Sequence, residues 1–255
     1  MTQGLQEIVI LYCDIDTLSQ EQIQHMAEFV SPERKRRIRP TMSRQKGLQH
    51  LVAGYLLELY LQQHGYPAAF HYKKHASGKP YLVFEDGSKA PHFSLTHSGS
   101  KVACAISPRS VGIDIEDKSF DDEDGRHRKR LARIADRFFT EEEQVYLTYY
   151  PQEFYRVWTF KEAVAKAYNE PIMDVLQQWD YRNVLEKIQD VDLSQGEEVE
   201  DHIFLVKTSI QLERECTSTM EGAKSFNSET GFAGFRRLVG ADFVGFLVDK
   251  EIKDR

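Results

Sequence analysis

The sequence predicts an α+β fold, and three features of the chain support this class. A helical pattern covers about residues 43–64, where apolar side chains recur every three or four positions and Gly65 ends the pattern. A run of short strands is predicted between residues 93 and 116. A second group of helices and then strands follows in the C-terminal half. Helices grouped apart from strands, rather than alternating with them, favour α+β over a parallel α/β sheet.

Local signals define the elements of the first half. Residues 7–13 are typical of a strand and residues 19–30 of a helix. Ser31 and Pro32 predict the start of another helix, because Ser is a good N-cap and Pro suits the first helical position. Further strands are expected at 81–84, 93–96, 101–106 and 110–116.

The second half repeats this order loosely. Helices are predicted at about 124–138 and through Trp158 to Tyr168, where Asn169-Glu170-Pro171 ends the pattern. Between them, Thr140 is an N-cap candidate with Glu143 at the reciprocal capping-box position. Strands are expected at 178–183, 203–210 and 243–248, with polar loops at 186–201 and 217–230. A boundary near Gly112 divides the chain into lobes 1–111 and 112–255.

Composition limits the classes of function. The 255 residues are 41% hydrophobic and carry a formal net charge of −7, which argues against a nucleic-acid-binding protein. The longest apolar run near the start is too short to span a membrane, and no targeting segment is recognised, so a cytoplasmic protein is expected. Three widely separated cysteines, Cys13, Cys104 and Cys216, are expected to be reduced and to lie in or near the core.

Two short patches supply acids suited to magnesium. In a strand, Asp114 and Glu116 point to the same side while the flanking isoleucines point to the other, so we expect the isoleucines to be buried and the carboxylates to be accessible. On the later helix, Glu162 and Lys166 are four residues apart and share a face distinct from the apolar stripe. Magnesium prefers a few carboxylate oxygens together with phosphate oxygens of a substrate. The residues alone leave two simpler alternatives: solvent-facing acids on the strand and a surface Glu–Lys pair on the helix.

Five segments of the chain resemble 4′-phosphopantetheinyl transferases, in particular the type that activates surfactin synthetase. They are GKPY at 78–81, FSLTHS at 93–98, GIDIE at 112–116, RFFTEEE at 137–143 and WTFKEAVAK at 158–166. Together the matches run from about residue 31 to residue 166, in the order and rough spacing of the family. Each motif is weak alone, and the five in order make the resemblance specific.

The resemblance implies a pseudodimer of two similar lobes, each with a small antiparallel sheet packed on helices, that binds coenzyme A between them. Such enzymes move 4′-phosphopantetheine from coenzyme A onto a serine of an apo acyl or peptidyl carrier protein and release adenosine 3′,5′-bisphosphate. By position, Asp114, Glu116 and Glu162 would bind Mg²⁺. Glu162 would also accept the serine proton, directly or through water, and Lys166 would stabilise the departing phosphate. Glu143 matches a further catalytic acid, although its capping-box position explains it equally well.

The nucleotide end of coenzyme A is read in this family by scattered cations. Matching positions here are Arg34, Arg37, Lys79 and His97, with Thr96 beside the last. A family arginine aligns with His50, where a neutral imidazole would weaken a phosphate contact. By itself, His97 is also explained as a turn histidine and Lys79 as an exposed turn residue.

The partners expected from the resemblance are coenzyme A and a carrier protein. Basic residues at 126–137 could meet a carrier protein, since carrier proteins are acidic around their modified serine, or they could be an ordinary solvated helix face. A monomer is expected because both halves of the cleft lie in one chain. Two other functions remain open: a different magnesium-dependent phosphotransferase or hydrolase, and a non-catalytic protein that binds through its basic runs.

Overall fold

The computed structural model describes residues 7–116, 125–193, 196–200, 202–208, 230–238 and 241–250. Within these residues the α-helices are α1 Gln20–Phe29, α2 Pro32–Lys35, α3 Arg44–Gln63, α4 Arg126–Phe138, α5 Glu141–Tyr149, α6 Phe154–Tyr168 and α7 Ile172–Val175. The strands are β1 Ile8–Asp14, β2 Phe70–Lys74, β3 Pro80–Phe84, β4 His92–Ser98, β5 Lys101–Ser107, β6 Ser110–Glu116, β7 Ile188–Asp190, β8 Glu197–Glu200, β9 Ile203–Thr208, β10 Thr230–Leu238 and β11 Ala241–Lys250. The mixture of helices and mainly antiparallel strands confirms the α+β class.

Helix ends follow the predicted capping signals closely. Ser19, Ser31 and Ser43 accept backbone N–H bonds as N-caps of α1, α2 and α3. Thr140 forms the predicted capping box with Glu143 at the start of α5. Asn169 ends α6 with a left-handed backbone at φ 56°. Short polar side chains compete for terminal backbone groups, which is why these boundaries are legible in the sequence.

Several predictions for the second half are wrong. The segment predicted as a strand at 178–183 instead enters a 3-10 helix at Tyr181–Lys187, whose N-cap Asp180 accepts from the Arg182 N–H at 2.9 Å. The segment 186–201, predicted as a loop, contains β7 and β8. β2 and β10 were not predicted. Residues 217–229 of the other predicted loop and Cys216 lie outside the described residues.

The strands form two larger sheets and the β2–β3 hairpin. The first sheet has the order β4-β5-β1-β9-β8 with antiparallel pairs, and the second has the order β6-β11-β10-β7, in which only the pair of β10 and β7 is parallel. The first sheet therefore joins three strands from the first half of the chain to β8 and β9 from the second half. β4 and β6 are edge strands, one in each sheet.

The core consists of layers on both sides of the first sheet. Apolar residues of α3 pack against one face of β1, β4 and β5. The opposite face packs against β6 through Ile113 and Ile115, and the group includes Ala103 and Ala105 of β5. A further apolar cluster joins α4, α5, α6 and α7. Strand alternation explains why β1 serves both faces: Val9 and Leu11 contact α3, while neighbouring residues face β6.

Two predictions, on the cellular compartment and on the state of the cysteines, can each be compared in part with the described residues. None of the described helices has the length and apolar character needed to cross a membrane. Cys13 and Cys104 are buried free thiols, as predicted, and burial is the main cause that raises the pKa of Cys13 to about 12. A thiol that holds its proton so firmly is a poor nucleophile.

Candidate active site

The candidate site forms where β6 contacts α6, and Gly112 makes their close approach possible. A Cβ atom on Gly112 would lie 2.0 Å from the carbonyl oxygen of Ala163 and 2.6 Å from the backbone nitrogen of Ala167. These are backbone atoms, so any larger residue would push the helix away from the strand. The close contact places the α6 side chains Glu162 and Lys166 beside the acids of β6.

Asp114 is the centre of this contact. Lys166 donates through Nζ to Asp114 Oδ1 at 2.6 Å and to the Ile113 carbonyl at 3.0 Å. Thr96 donates through Oγ1 to the same carboxylate oxygen at 2.9 Å. Asp114 is only 7% exposed, which corrects the prediction that this carboxylate is accessible. It is covered because β4 and α6 close over it from two sides.

Lys166 settles one alternative that the sequence left open. Its ammonium contacts Asp114 across the strand–helix interface rather than forming an ordinary surface pair with Glu162. The carboxyl of Glu162 nevertheless interacts electrostatically with Lys166, Asp114 and Glu116. Burial is the largest cause that raises the pKa of Glu162; Lys166 opposes it, and the negative charges of Asp114 and Glu116 add to the increase. The three acids and the lysine are therefore electrostatically coupled.

The donor set fits a hard divalent cation by its chemistry. Asp114 and Glu116 lie on the same side of β6, and both influence Glu162 on the facing helix. Carboxylate oxygens are the ligands that Mg²⁺ prefers, and it usually keeps substrate and water ligands as well. Among the residues that the structure describes, no three acidic, histidine or cysteine side chains are already drawn together in a metal-binding geometry. Asp114 pairs with Lys166 instead.

Lys79 reaches the same region from the turn before β3. Its Nζ donates to the Val111 carbonyl at 2.8 Å, one residue before the Gly112 contact. Burial, followed by the positive charge of Lys166, lowers the pKa of Lys79 to about 7. The positive charges of Lys79 and Lys166 together favour the binding of an anion in this region. The alternative of an ordinary exposed turn residue does not fit this placement.

His50 and His97 meet at the edge of this region. Their rings are edge to face with centroids 5.7 Å apart. Burial is the largest cause that lowers the pKa of each, and for His50 the charges of Arg34 and His97 act in the same direction. His97, near the end of β4, is covered in part and keeps the rest of its surface exposed. Neutral imidazoles next to cations are suited to hydrogen bonding with a phosphate more than to charge pairing.

The two predicted arginines differ in their surroundings. Arg34 is 3% exposed and donates from Nε and Nη2 to the His50 carbonyl at 3.0 and 2.7 Å, beside Gly54. It thus joins α2 to α3 through its Nε and Nη2 groups. Arg37 is more accessible, lies 5.0 Å from the centre of the Tyr72 ring and approaches Glu33 at 3.9 Å. Arg37 is therefore the better placed of the two for an anion.

Glu143 has a different environment from the other predicted catalytic residues. Both it and Lys161 have fully buried side chains, and they form an ion pair at 2.8 Å. Glu143 also accepts from the backbone N–H groups of Thr140 and Tyr181 at 3.1 and 2.8 Å. Lys161 leaves α6 about 100° around the helix from Glu162. The contacts of Glu143 are thus structural ones, and the structure does not bring it together with Asp114.

The basic segment forms α4, whose polar face is exposed. Leu131 and Ala135 turn toward the core, and His127 lies 2.7 Å from the Tyr155 hydroxyl of α6. The exposed cationic side chains of this helix are Arg126, Arg128, Lys129, Arg130, Arg133 and Arg137. Residues 117–124, which precede this basic segment, lie outside the described part of the chain.

Sequence reasoning missed two groups that contact the site residues. Ser98 donates to Glu116 Oε2 at 2.8 Å, and Lys161 supports the segment after α6 through the carbonyls of Leu176 and Trp179. For Ser98, the hydroxyl side chains at alternate positions 94, 96 and 98 were a signal that the sequence offered. Nothing in the local sequence indicates the partners of Lys161.

Comparison with known proteins identifies one family. Residues 110–210 match the sequence model of the 4′-phosphopantetheinyl transferase superfamily. The chain is 37% identical over 101 residues to the 4′-phosphopantetheinyl transferase gsp of Aneurinibacillus migulanus, covering 38% of this chain and 37% of that protein. It is 31% identical over 163 residues to HetI of Nostoc sp., covering 61% of each, and 27% identical over 156 residues to Sfp of Bacillus subtilis, covering 58% and 64%.

The matched part thus spans less than two thirds of the length of each of these relatives. The superfamily match begins at β6 and includes α6, the two elements that form the candidate site. The resemblance noted in the motifs is confirmed: residues 110–210 match the 4′-phosphopantetheinyl transferase superfamily, and the chain is similar to these enzymes over part of their length.

Proposed function

We propose that this protein transfers the 4′-phosphopantetheine group of coenzyme A to a serine hydroxyl of an apo acyl or peptidyl carrier protein in a magnesium-dependent reaction. Adenosine 3′,5′-bisphosphate is the leaving product. The observation that carries the proposal is the grouping of Asp114, Lys166 and Glu162 at the β6–α6 contact, within the segment that matches the superfamily. Transfer of a phosphoryl group needs this combination of acids and cations around the bridging oxygens.

Asp114, Glu116 and Glu162 are the residues that would hold Mg²⁺. When bound, the ion would neutralise charge on the diphosphate of coenzyme A. Lys166 stands beside Asp114 and is proposed to donate a hydrogen bond to an oxygen of the leaving phosphate as the phosphoanhydride bond of coenzyme A breaks. The Lys166–Asp114 contact at 2.6 Å is then exchanged for a contact with substrate, which keeps the ammonium paired at each stage.

Glu162 is the proposed acceptor of the serine proton. Burial raises the pKa of its carboxyl, with the acids of β6 acting in the same direction and Lys166 against it. A carboxylate whose pKa is raised is a stronger base than an exposed one. The proton passes from the serine hydroxyl to Glu162, directly or through one water, as the serine oxygen attacks phosphorus.

The nucleotide end of coenzyme A is proposed to lie against Lys79, Thr96 and His97, with Arg37 and His50 nearby. Lys79, His50 and His97 would supply groups that donate to phosphate at this end. Arg34 belongs to the predicted set as well. Its bonds to the His50 carbonyl support a role in holding the segment that carries the other contacts.

The remaining parts of the proposal concern assembly. Lobes 1–111 and 112–255 would form a pseudodimer around the cleft, with β8 and β9 of the second lobe extending the sheet of the first. A carrier protein would dock on the exposed basic face of α4, because opposite charges speed the encounter with an acidic surface. We expect a cytoplasmic monomer that acts on neither nucleic acid nor membrane.

Mass spectrometry tests the proposal directly. The protein is incubated with coenzyme A, Mg²⁺ and each of several unmodified carrier proteins, and the carrier is then weighed. A phosphopantetheine adduct that requires Mg²⁺ supports the proposal, and absence of an adduct on every carrier contradicts it. Asp114→Ala and Glu162→Ala should each abolish the adduct. Retained activity in either variant, with native circular dichroism, would refute the assigned roles.

A further inference from the structure

A row of hydroxyl side chains joins the edge strands of the two sheets. Ser94, Thr96 and Ser98 alternate along β4 and leave it on one side. β4 and β6 are not neighbours in either sheet, so the outer N–H groups of β6 face side chains of β4. Ser94 Oγ accepts from the Ile113 N–H at 3.1 Å, and Thr96 Oγ1 accepts from the Ile115 N–H at 3.3 Å. These bonds satisfy backbone groups that an edge strand would otherwise leave buried and unpaired.

Two of the three hydroxyls also donate to acids of the candidate site. Thr96 donates to Asp114 Oδ1 at 2.9 Å and is 5% exposed. Ser98 donates to Glu116 Oε2 at 2.8 Å. Each acid of β6 therefore has its own hydroxyl donor from β4. In this row Ser94 bonds to backbone, Thr96 bonds to both backbone and a carboxylate, and Ser98 bonds to a carboxylate.

We propose that Thr96 and Ser98 are positioning residues that orient Asp114 and Glu116 for a divalent cation. This inference rests on the proposed function, since it assumes that these two acids are metal ligands. A hydroxyl bonded to one carboxylate oxygen fixes the rotation of the group and leaves the other oxygen directed away. On Asp114, the bonds from Thr96 and Lys166 both fall on Oδ1, which favours Oδ2 as the oxygen for the cation.

The proposal gives Thr96 a role different from direct contact with coenzyme A. Its hydroxyl has a single hydrogen, which is directed to Asp114 in this structure. Partners that orient metal-binding side chains affect metal affinity although they do not touch the metal. If the hydroxyls served only to join β4 to β6, removing one would lower stability and leave metal affinity unchanged. Ser94, whose hydroxyl accepts from the Ile113 N–H, is an example of such a joining residue.

The test compares Mn²⁺ binding among four variants in the presence of coenzyme A and without a carrier protein. Free Mn²⁺ is measured by electron paramagnetic resonance, which does not depend on turnover. Thr96→Val and Ser98→Ala should each raise the dissociation constant for Mn²⁺ by about 10-fold to 100-fold. Thr96→Ser keeps the donor and should bind close to wild type. Ser94→Ala is the matched control, which should lower thermal stability and leave Mn²⁺ affinity unchanged.

Each result decides the matter. Wild-type affinity in both Thr96→Val and Ser98→Ala overturns the inference, as does an equal loss in Ser94→Ala. Should Thr96→Val fail to fold, Ser98→Ala decides alone, because Ser98 lies at the half-buried end of the row. If the wild-type protein modifies carriers but these variants bind Mn²⁺ normally, only this inference fails. If the wild type neither modifies carriers nor binds Mn²⁺, the proposed function fails with it.

Discussion

The buried ion pair between Glu143 and Lys161 predicts that Glu143 supports the fold rather than the reaction. Both side chains are fully buried, and the pair distance is 2.8 Å. Lys161 also donates to the carbonyls of Leu176 and Trp179 at 2.6 and 2.5 Å. The informative change is Glu143→Gln, which keeps the size of the side chain and the acceptor for a capping box while removing the negative charge.

The cost follows from the ammonium that this change leaves behind. Burial raises the pKa of Glu143 and lowers that of Lys161, while each charge favours the other. Removing one partner of a buried pair costs about 3–5 kcal/mol, because the other charge stays in a dry environment. The two carbonyl contacts of Lys161 favour the lower end of that range. At about 2–4 °C per kcal/mol for a chain of this size, the unfolding midpoint should fall by roughly 6–20 °C.

A double variant separates the charge from the packing. Glu143→Gln with Lys161→Met removes both charges, so it should be more stable than Glu143→Gln alone even though two carbonyls lose their donor. Unfolding is followed by circular dichroism against temperature and urea. Transfer to a carrier protein is measured well below every midpoint, so that all variants are folded during the assay.

The activity of Glu143→Gln is the deciding measurement. If Glu143 is structural, the rate should stay within about tenfold of wild type, whereas loss of a general acid or base typically costs about 10²–10⁴-fold. A variant with an unchanged midpoint and a rate lowered by that larger factor would refute our reasoning. It would show that Glu143 acts on the substrate and that its buried pair is of little energetic consequence.

Three further predictions concern other contacts of the site. Gly112→Ala should lower both the unfolding midpoint and the transfer rate, because its Cβ would lie 2.0 Å from a backbone oxygen of α6; an unaffected rate would contradict the close approach. The pKa of Lys79 is lowered to about 7, so its cation is lost as pH rises through that value. In the wild type, kcat/KM for coenzyme A should therefore fall above pH about 7, whereas Lys79→Met should lack that inflection in the pH profile. Arg34→Met should cost about 1–3 kcal/mol in urea unfolding, because the His50 carbonyl loses its donor, whereas Arg37→Met should mainly raise the KM for coenzyme A; the reverse pattern would place Arg34 on the nucleotide.

The relative placement of several candidate residues could be predicted because strand and helix periodicities are local properties. Alternation along β6 puts Asp114 and Glu116 on one side, and a four-residue interval puts Glu162 and Lys166 on one face of α6. The ends of α6 were legible too, since Asn169 adopts the left-handed conformation that commonly closes a helix. Such features depend on neighbours in the chain, so one sequence is enough to find them.

The errors concern contacts made across the fold. Asp114 was expected to be accessible, but Thr96 and Lys166, which are distant in sequence, cover it. Arg34 carries the charge that a phosphate contact needs, and the sequence did not indicate that its Nε and Nη2 groups donate to the His50 carbonyl. The strand predicted at 178–183 was lost because Tyr181 donates its backbone N–H to Glu143 and is buried in the cluster of α4–α7. Burial and pairing of this kind follow from tertiary packing, which a local pattern does not specify.

The elements that pack around β6 have two roles: they bond to the backbone of the strand, and they contact its carboxylate Asp114. Gly112 brings α6 so close that Lys166 bonds to both the backbone and the carboxylate of the strand. The hydroxyls of β4 satisfy its outer edge and orient the same carboxylate. A small movement of either β4 or α6 would therefore change the position of Asp114. It follows that substitutions at this junction should alter the reaction more than their distance from the substrate suggests, since well-placed groups contribute to catalysis only within tight geometric limits.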